Sequence, residues 1–134
     1  PGTGAATETG TGVAAGTKLN IPMPPHSDDA AVHTLWPTVE TFLRRADPEF
    51  IILQCGADSV RGDPLTHLNY SRALHGEIAR RLCRLADDCC GGRLIALGGG
   101  GYDRPNLAAA WTGVVAALAE GGASNRAPGP GRPE

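Results

Sequence analysis

Two short stretches carry residue types that could do chemistry together. CGADSVRGDPL (55–65) holds the carboxylates Asp58 and Asp63, and LGGGGYD (97–103) sets Tyr102 directly after Gly98, Gly99, Gly100 and Gly101. A carboxylate can ligate a metal or take a proton, and a phenol donates a hydrogen bond. Glycine loses more backbone entropy on folding than any other residue, so four in a row need a reason. A phosphate cradle, a tight turn, or a wall where backbone comes close to a ligand would each supply one.

The P-loop reading fails on residue order, and a nucleotide-binding module stays only as a distant third reading. A P-loop needs Gly-Lys-Ser/Thr opening a helix, and Gly16-Thr17-Lys18 has the wrong order. Counted from Gly98, the last glycine of a dinucleotide fingerprint falls on Asp103, and no later strand brings a ribose-binding acid. For single residues the bland readings stand beside the functional ones. An acid in a loop is usually solvated or a cap, and Asp63 before Pro64 reads as a turn residue. His26, His33, His67 and His75 are scattered without a His-His doublet and read as surface or loop residues, His67 alone lying near the loop in question. Cys55, Cys83, Cys89 and Cys90 form no C-x-x-C and read as small, reduced core residues, and Trp36 and Trp111 as core anchors.

The elements around these stretches set their position. Residues 1–16 read as loop and TKLNI (17–21) as a short strand. A helix capped by Ser27 or Asp28 carries an apolar stripe from Val32 to Ala46, interrupted at Pro37. EFIILQC (49–55) and RLIAL (93–97) are apolar runs of strand length, the mark of parallel strands buried on both faces. Between them Ser71 is placed to cap a helix with the stripe Leu74, Ile78, Leu82, Leu85 and Cys89, stopped by Gly91–Gly92. A last helix starts near Pro105, buries Leu107, Trp111, Val114, Val115 and Leu118, and stops at Gly121–Gly122. The strand–helix alternation predicts an α/β fold with a parallel sheet. Ligands in such sheets bind beyond the carboxyl ends of the strands, which is where Asp58 and Tyr102 fall.

The 134 residues allow one domain at most; 41% are hydrophobic and 19% charged, with a net charge of −2. The pI near 6.1 offers nothing to nucleic acid or an anionic membrane. No apolar run approaches the roughly 20 residues of a bilayer span, and no signal peptide is evident, which points to the cytoplasm. The sequence begins at Pro1 and its single methionine is Met23, so it reads as a fragment or processed piece.

Taken together, PGTG (1–4), LNIPMPP (19–25), LQCGADSVRGDPLTHL (53–68) and GRLIALGGGGYDRPNLAAAW (92–111) resemble the C-terminal part of the histone deacetylase superfamily. That group includes acetoin-utilisation proteins and acetylpolyamine amidohydrolases. The resemblance implies the C-terminal portion of an arginase/deacetylase-like three-layer α/β fold over residues 1–122; the tail, 123–134, reads from its own composition as disordered. The resemblance also implies a zinc-dependent deacetylase, with iron(II) an alternative metal, acting on acetylated lysine or another acetylated amine. By the family's pattern Asp58 is a metal ligand, Tyr102 donates to the reacting carbonyl oxygen, and Leu65, Gly100 and Gly101 line the tunnel for the acylated chain. Asp103 departs from the family, where asparagine is common. The remaining ligands (Asp-x-His) and the His-His base are absent from this chain. The expectation is a chain inactive and poorly folded alone, its sheet left with open apolar surface. The competing reading is a non-catalytic remnant or interaction fragment.

Overall fold

Residues 4–124 are described in a computed structural model of the chain. After a 3-10 turn at Gly12–Ala14 come α1 (Asp29–Ala46), β1 (Ile51–Gln54), α2 (Leu74–Cys90), β2 (Leu94–Leu97) and α3 (Arg104–Ser124). The PGTG motif starts outside the described residues, as does the tail from 125 onward.

Asp28, in extended conformation, caps α1 by accepting the Ala31 N–H, and the helix runs unbroken through Pro37. α1 lies along α2. Trp36 is buried, with the Arg81 guanidinium 5.6 Å from its ring centroid. His33 meets Glu77, and Arg44 joins Glu40 to Asp88. Gly91, left-handed at φ 60°, closes α2 as the sequence predicts. The helix starts later than expected. Ser71 builds the preceding turn, its Oγ accepting from Ala73 and its carbonyl from Leu74, while its own N–H goes to Asp29.

β1 and β2 pair in parallel, with Ile51 opposite Leu94 and Gln54 opposite Leu97. Residues 17–21 form no strand. A strand needs a neighbour, and among the described residues β1 and β2 pair only with each other. Side chains alternate across the sheet. Ile51, Leu53, Cys55, Leu94 and Ala96 pack under α2 and α3 with Leu85, Ala79 and Val114. The opposite face is bare, with Ile52 66%, Leu97 48% and Ile95 46% exposed. Burial on both faces, expected from the apolar runs, is therefore corrected: the described helices cover one side only. The open apolar surface expected of this chain is present.

The inner face of α3 is built from small residues, and this overturns two expectations. Asn106, Ala110, Val114 and Ala117 are buried, whereas Val115 is 64% exposed. The helix also passes its expected stop at Gly121–Gly122 and runs to Ser124. Small side chains let α2 and α3 touch backbone to backbone. A Cβ on Gly76 would lie 3.0 Å from the carbonyl of Gly113, and one on Gly121 would lie 3.1 Å from the Cβ of Cys83. The Arg80–Glu120 ion pair spans the same interface. Among the described residues no helix is long and apolar enough to cross a membrane.

Gly76→Leu overpacks this crossing and should lower stability by about 2 kcal/mol, a fall in Tm on the order of 8 °C. Thermal unfolding followed by circular dichroism measures it. An unchanged Tm would mean that the helices do not meet at Gly76.

Candidate active site

Because β1 and β2 run in parallel, the loops that leave their carboxyl ends emerge side by side. Pairing continues past the strands: the Cys55 N–H donates to the Leu97 carbonyl at 3.0 Å and the Ala57 N–H to the Gly100 carbonyl at 2.5 Å. The Trp111 indole N–H donates to the Cys55 carbonyl at 2.9 Å, fixing α3 beneath the same edge. Each glycine of the tract has a close neighbour where a side chain would stand. A Cβ on Gly98 would lie 2.7 Å from the Trp111 ring, and one on Gly99 would collide with the Gln54 amide. On Gly100 it would sit 2.6 Å from Asp58 Oδ2, and on Gly101, at φ 137°, 2.8 Å from Leu107. The tract is bare because the chain's own side chains press against it, the Asp58 carboxylate among them.

Asp58 is half-buried, and its carbonyl is held by the Thr66 hydroxyl at 2.5 Å. None of the described residues donates a hydrogen bond to its carboxylate, so both oxygens remain available as ligands. Tyr102 and Leu65 stand at the rim, 57% and 62% exposed. The structure thus brings Asp58 against Gly100, while Gly101 lies against Ala57 and Leu107, with Tyr102 following directly on the glycines.

Two residues of this site were not singled out as functional from sequence. Asp63, expected to be a turn residue, is 7% exposed and joins the two loops: Oδ1 accepts the Leu65 N–H at 2.9 Å and Oδ2 the Tyr102 N–H at 2.7 Å. Burial pushes its carboxyl up, but the N–H groups of Tyr102, Leu65, Asp103 and Thr66 outweigh burial and hold it below the usual carboxylate range. The only sequence signal is a second acid five residues after Asp58, which a turn explains equally well. His75, read as a surface or loop histidine, lies half-buried in the first turn of α2. Its Nε2 is 2.9 Å from the Gly56 carbonyl and 3.3 Å from Ser59 Oγ. A carbonyl only accepts, so Nε2 carries the proton, and Nδ1 is buried with no hydrogen-bond partner among the described residues. His75 also lines a cavity of about 270 Å³ between α1, α2 and the end of β1. The His67 carbonyl accepts the His26 N–H at 2.6 Å.

Asp103 caps α3 through the Asn106 N–H at 2.8 Å. Asn106 in turn accepts from Arg72 and donates to the Arg61 carbonyl, pinning the first loop to α3. The four thiols are free, and burial pushes those of Cys55 and Cys83 up. Among the described residues no group of three His, Cys, Asp or Glu side chains could hold a metal ion. A catalytic zinc takes three protein ligands. Asp58 offers one carboxylate, so the described residues do not make such a site by themselves.

A parallel α/β layer with its site at the carboxyl ends of the strands is the class of domain these features define. Similarity supplies the family. The histone deacetylase domain matches residues 1–118, and the chain belongs to the histone deacetylase family. It is 40% identical over 104 residues to the acetoin utilization protein AcuC of Bacillus subtilis, covering 77% of this chain and 27% of that protein. It is 35% identical over 108 residues to the chloroplastic histone deacetylase 14 of Arabidopsis thaliana, covering 80% of this chain and 26% of that protein. The crystal structure of an acetylpolyamine aminohydrolase from Burkholderia pseudomallei superposes with a TM-score of 0.77 at 25% identity, over 87% of this chain and 33% of that one. The chain therefore spans about a quarter of the length of these two curated relatives.

A carboxyl held below its ordinary value adds stability above that value, and the addition is lost as pH falls through the folded-state value. The stability difference between the native chain and Asp63→Asn should be about 2 kcal/mol at pH 7 and close below about pH 4. Urea unfolding at pH 7 and pH 3 measures both. A difference independent of pH would mean that Asp63 does not act as an ionised acceptor.

Proposed function

We propose that this chain is the C-terminal part of a metal-dependent deacetylase that hydrolyses the amide of an acetylated amine, either a lysine side chain or a small acetylated amine. The observation that carries this reading is the Asp58 carboxylate lying against the bare Gly100 backbone, two residues before Tyr102, at the carboxyl ends of parallel strands. In this reading Asp58 contributes one ligand to zinc or iron(II), and the other ligands come from residues outside this chain. The metal supplies Lewis-acid polarisation of the amide when bound. The Tyr102 hydroxyl donates to the carbonyl oxygen as negative charge develops there, a donor typically worth about 3–4 kcal/mol of barrier. Leu65, Gly100 and Gly101 line the approach for the acylated chain, the two glycines presenting bare backbone that Asp58 and Leu107 pack against. A reducing cytoplasm is the proposed setting, in keeping with four free thiols.

On its own the chain has no turnover in this account, since it holds one carboxylate of the ligand set. The bare face of Ile52, Ile95 and Leu97 favours a second reading, a piece that acts only by packing against another polypeptide segment.

Tyr102→Phe in the complete domain should slow hydrolysis of an acetyl-lysine peptide or an acetylpolyamine by a factor of about 100 to 1,000, with metal content unchanged. Steady-state kinetics with metal analysis reads both, and full activity of the variant would overturn the role given to Tyr102. The purified 134-residue chain should show no hydrolysis of either substrate. Turnover at the rate of a complete deacetylase would refute the incomplete-site account.

A further inference from the structure

We propose that Asp63 is a positioning residue that holds Tyr102 and Leu65 in one fixed relation across the site. The reasoning starts from what Tyr102 lacks. Its ring is 57% exposed, so packing does little to place it, and the residues before it are four glycines, the most permissive backbone available. Something other than side-chain burial must fix where the phenol stands. Asp63 Oδ2 takes the Tyr102 N–H at 2.7 Å, the first polar tie after the glycine tract. The same carboxylate takes the Leu65 N–H through Oδ1 at 2.9 Å, and Leu65 is likewise exposed. Asp63 itself is anchored: its N–H donates at 3.1 Å to the carbonyl of Val60, which is 2% exposed. A buried carboxylate therefore spans two exposed rims. Charge-assisted bonds from a carboxylate to backbone N–H are among the stronger hydrogen bonds a protein makes. A hydrogen-bond donor for a reacting carbonyl works only when held within a fraction of an ångström of its place.

This inference rests on the reading of Tyr102 as that donor, and two experiments separate their failures. In the chain itself, hydrogen exchange at the Tyr102 and Leu65 amides should rise at least about tenfold in Asp63→Asn, because two charge-assisted bonds are weakened. Gly76→Leu, destabilising but remote, controls for a general loss of stability. Unchanged exchange at Tyr102 would overturn the proposal whatever Tyr102 does. In the complete domain, Asp63→Asn should lower kcat by about 100-fold and add little further loss in a Tyr102→Phe background. Fully additive losses would overturn a role through Tyr102. A Tyr102→Phe enzyme of normal rate would instead refute the donor reading, leaving the exchange result to decide the brace. Where Asp63→Asn fails to fold, Asp63→Glu, which keeps the charge but moves it by one methylene, is read in the same way.

Discussion

The meeting of two backbones beyond the sheet is the constraint on which this structure depends. Once β1 and β2 lie in parallel, hydrogen bonding carries on from strand to loop, and the Ala57 N–H reaches the Gly100 carbonyl. Side chains from the neighbouring elements then press against the second loop. Trp111, Gln54, Asp58 and Leu107 occupy the space that Cβ atoms at 98, 99, 100 and 101 would need. The four-glycine tract is thus a consequence of close packing, and its flexibility is a by-product that Asp63 restrains.

The helices serve the same geometry. α2 and α3 approach through Gly76, Gly113 and alanines, which brings α3 near enough for Trp111 to bond the Cys55 carbonyl and for Asn106 to fasten the Arg61 carbonyl. Helix packing therefore sets where the two loops begin. On the other side the sheet ends in exposed Ile52, Ile95 and Leu97. Parallel sheets are stable when both faces are covered. A face this apolar suits a chain that spans only a quarter of the length of relatives such as AcuC.

Several features were legible in the sequence because they are written in strong local signals. The runs around Ile51 and Leu94 marked two parallel strands, Gly91 marked the end of α2, and four glycines marked a close approach. What was not legible depends on partners distant in sequence. Nothing local distinguishes an aspartate before proline that closes a turn from one whose oxygens reach Tyr102. His75 reads as a surface or loop residue until the Gly56 carbonyl is seen beside it. The inner face of α3 was misassigned at Val115 because size suggested burial where the close helix crossing selects alanine and glycine. The strand expected at 17–21 had suitable residues but no neighbour with which to pair.

The most direct measurement is the deacetylation rate of the complete domain carrying Gly100→Ala, with folding checked by circular dichroism. One methyl group there would sit 2.6 Å from Asp58 Oδ2, so the carboxylate and the glycine loop must separate. If their contact builds the site, turnover should fall by about 100-fold or more while the fold is kept. Wild-type turnover in that variant would contradict the account, because the bare backbone at Gly100 would then have no part in the chemistry.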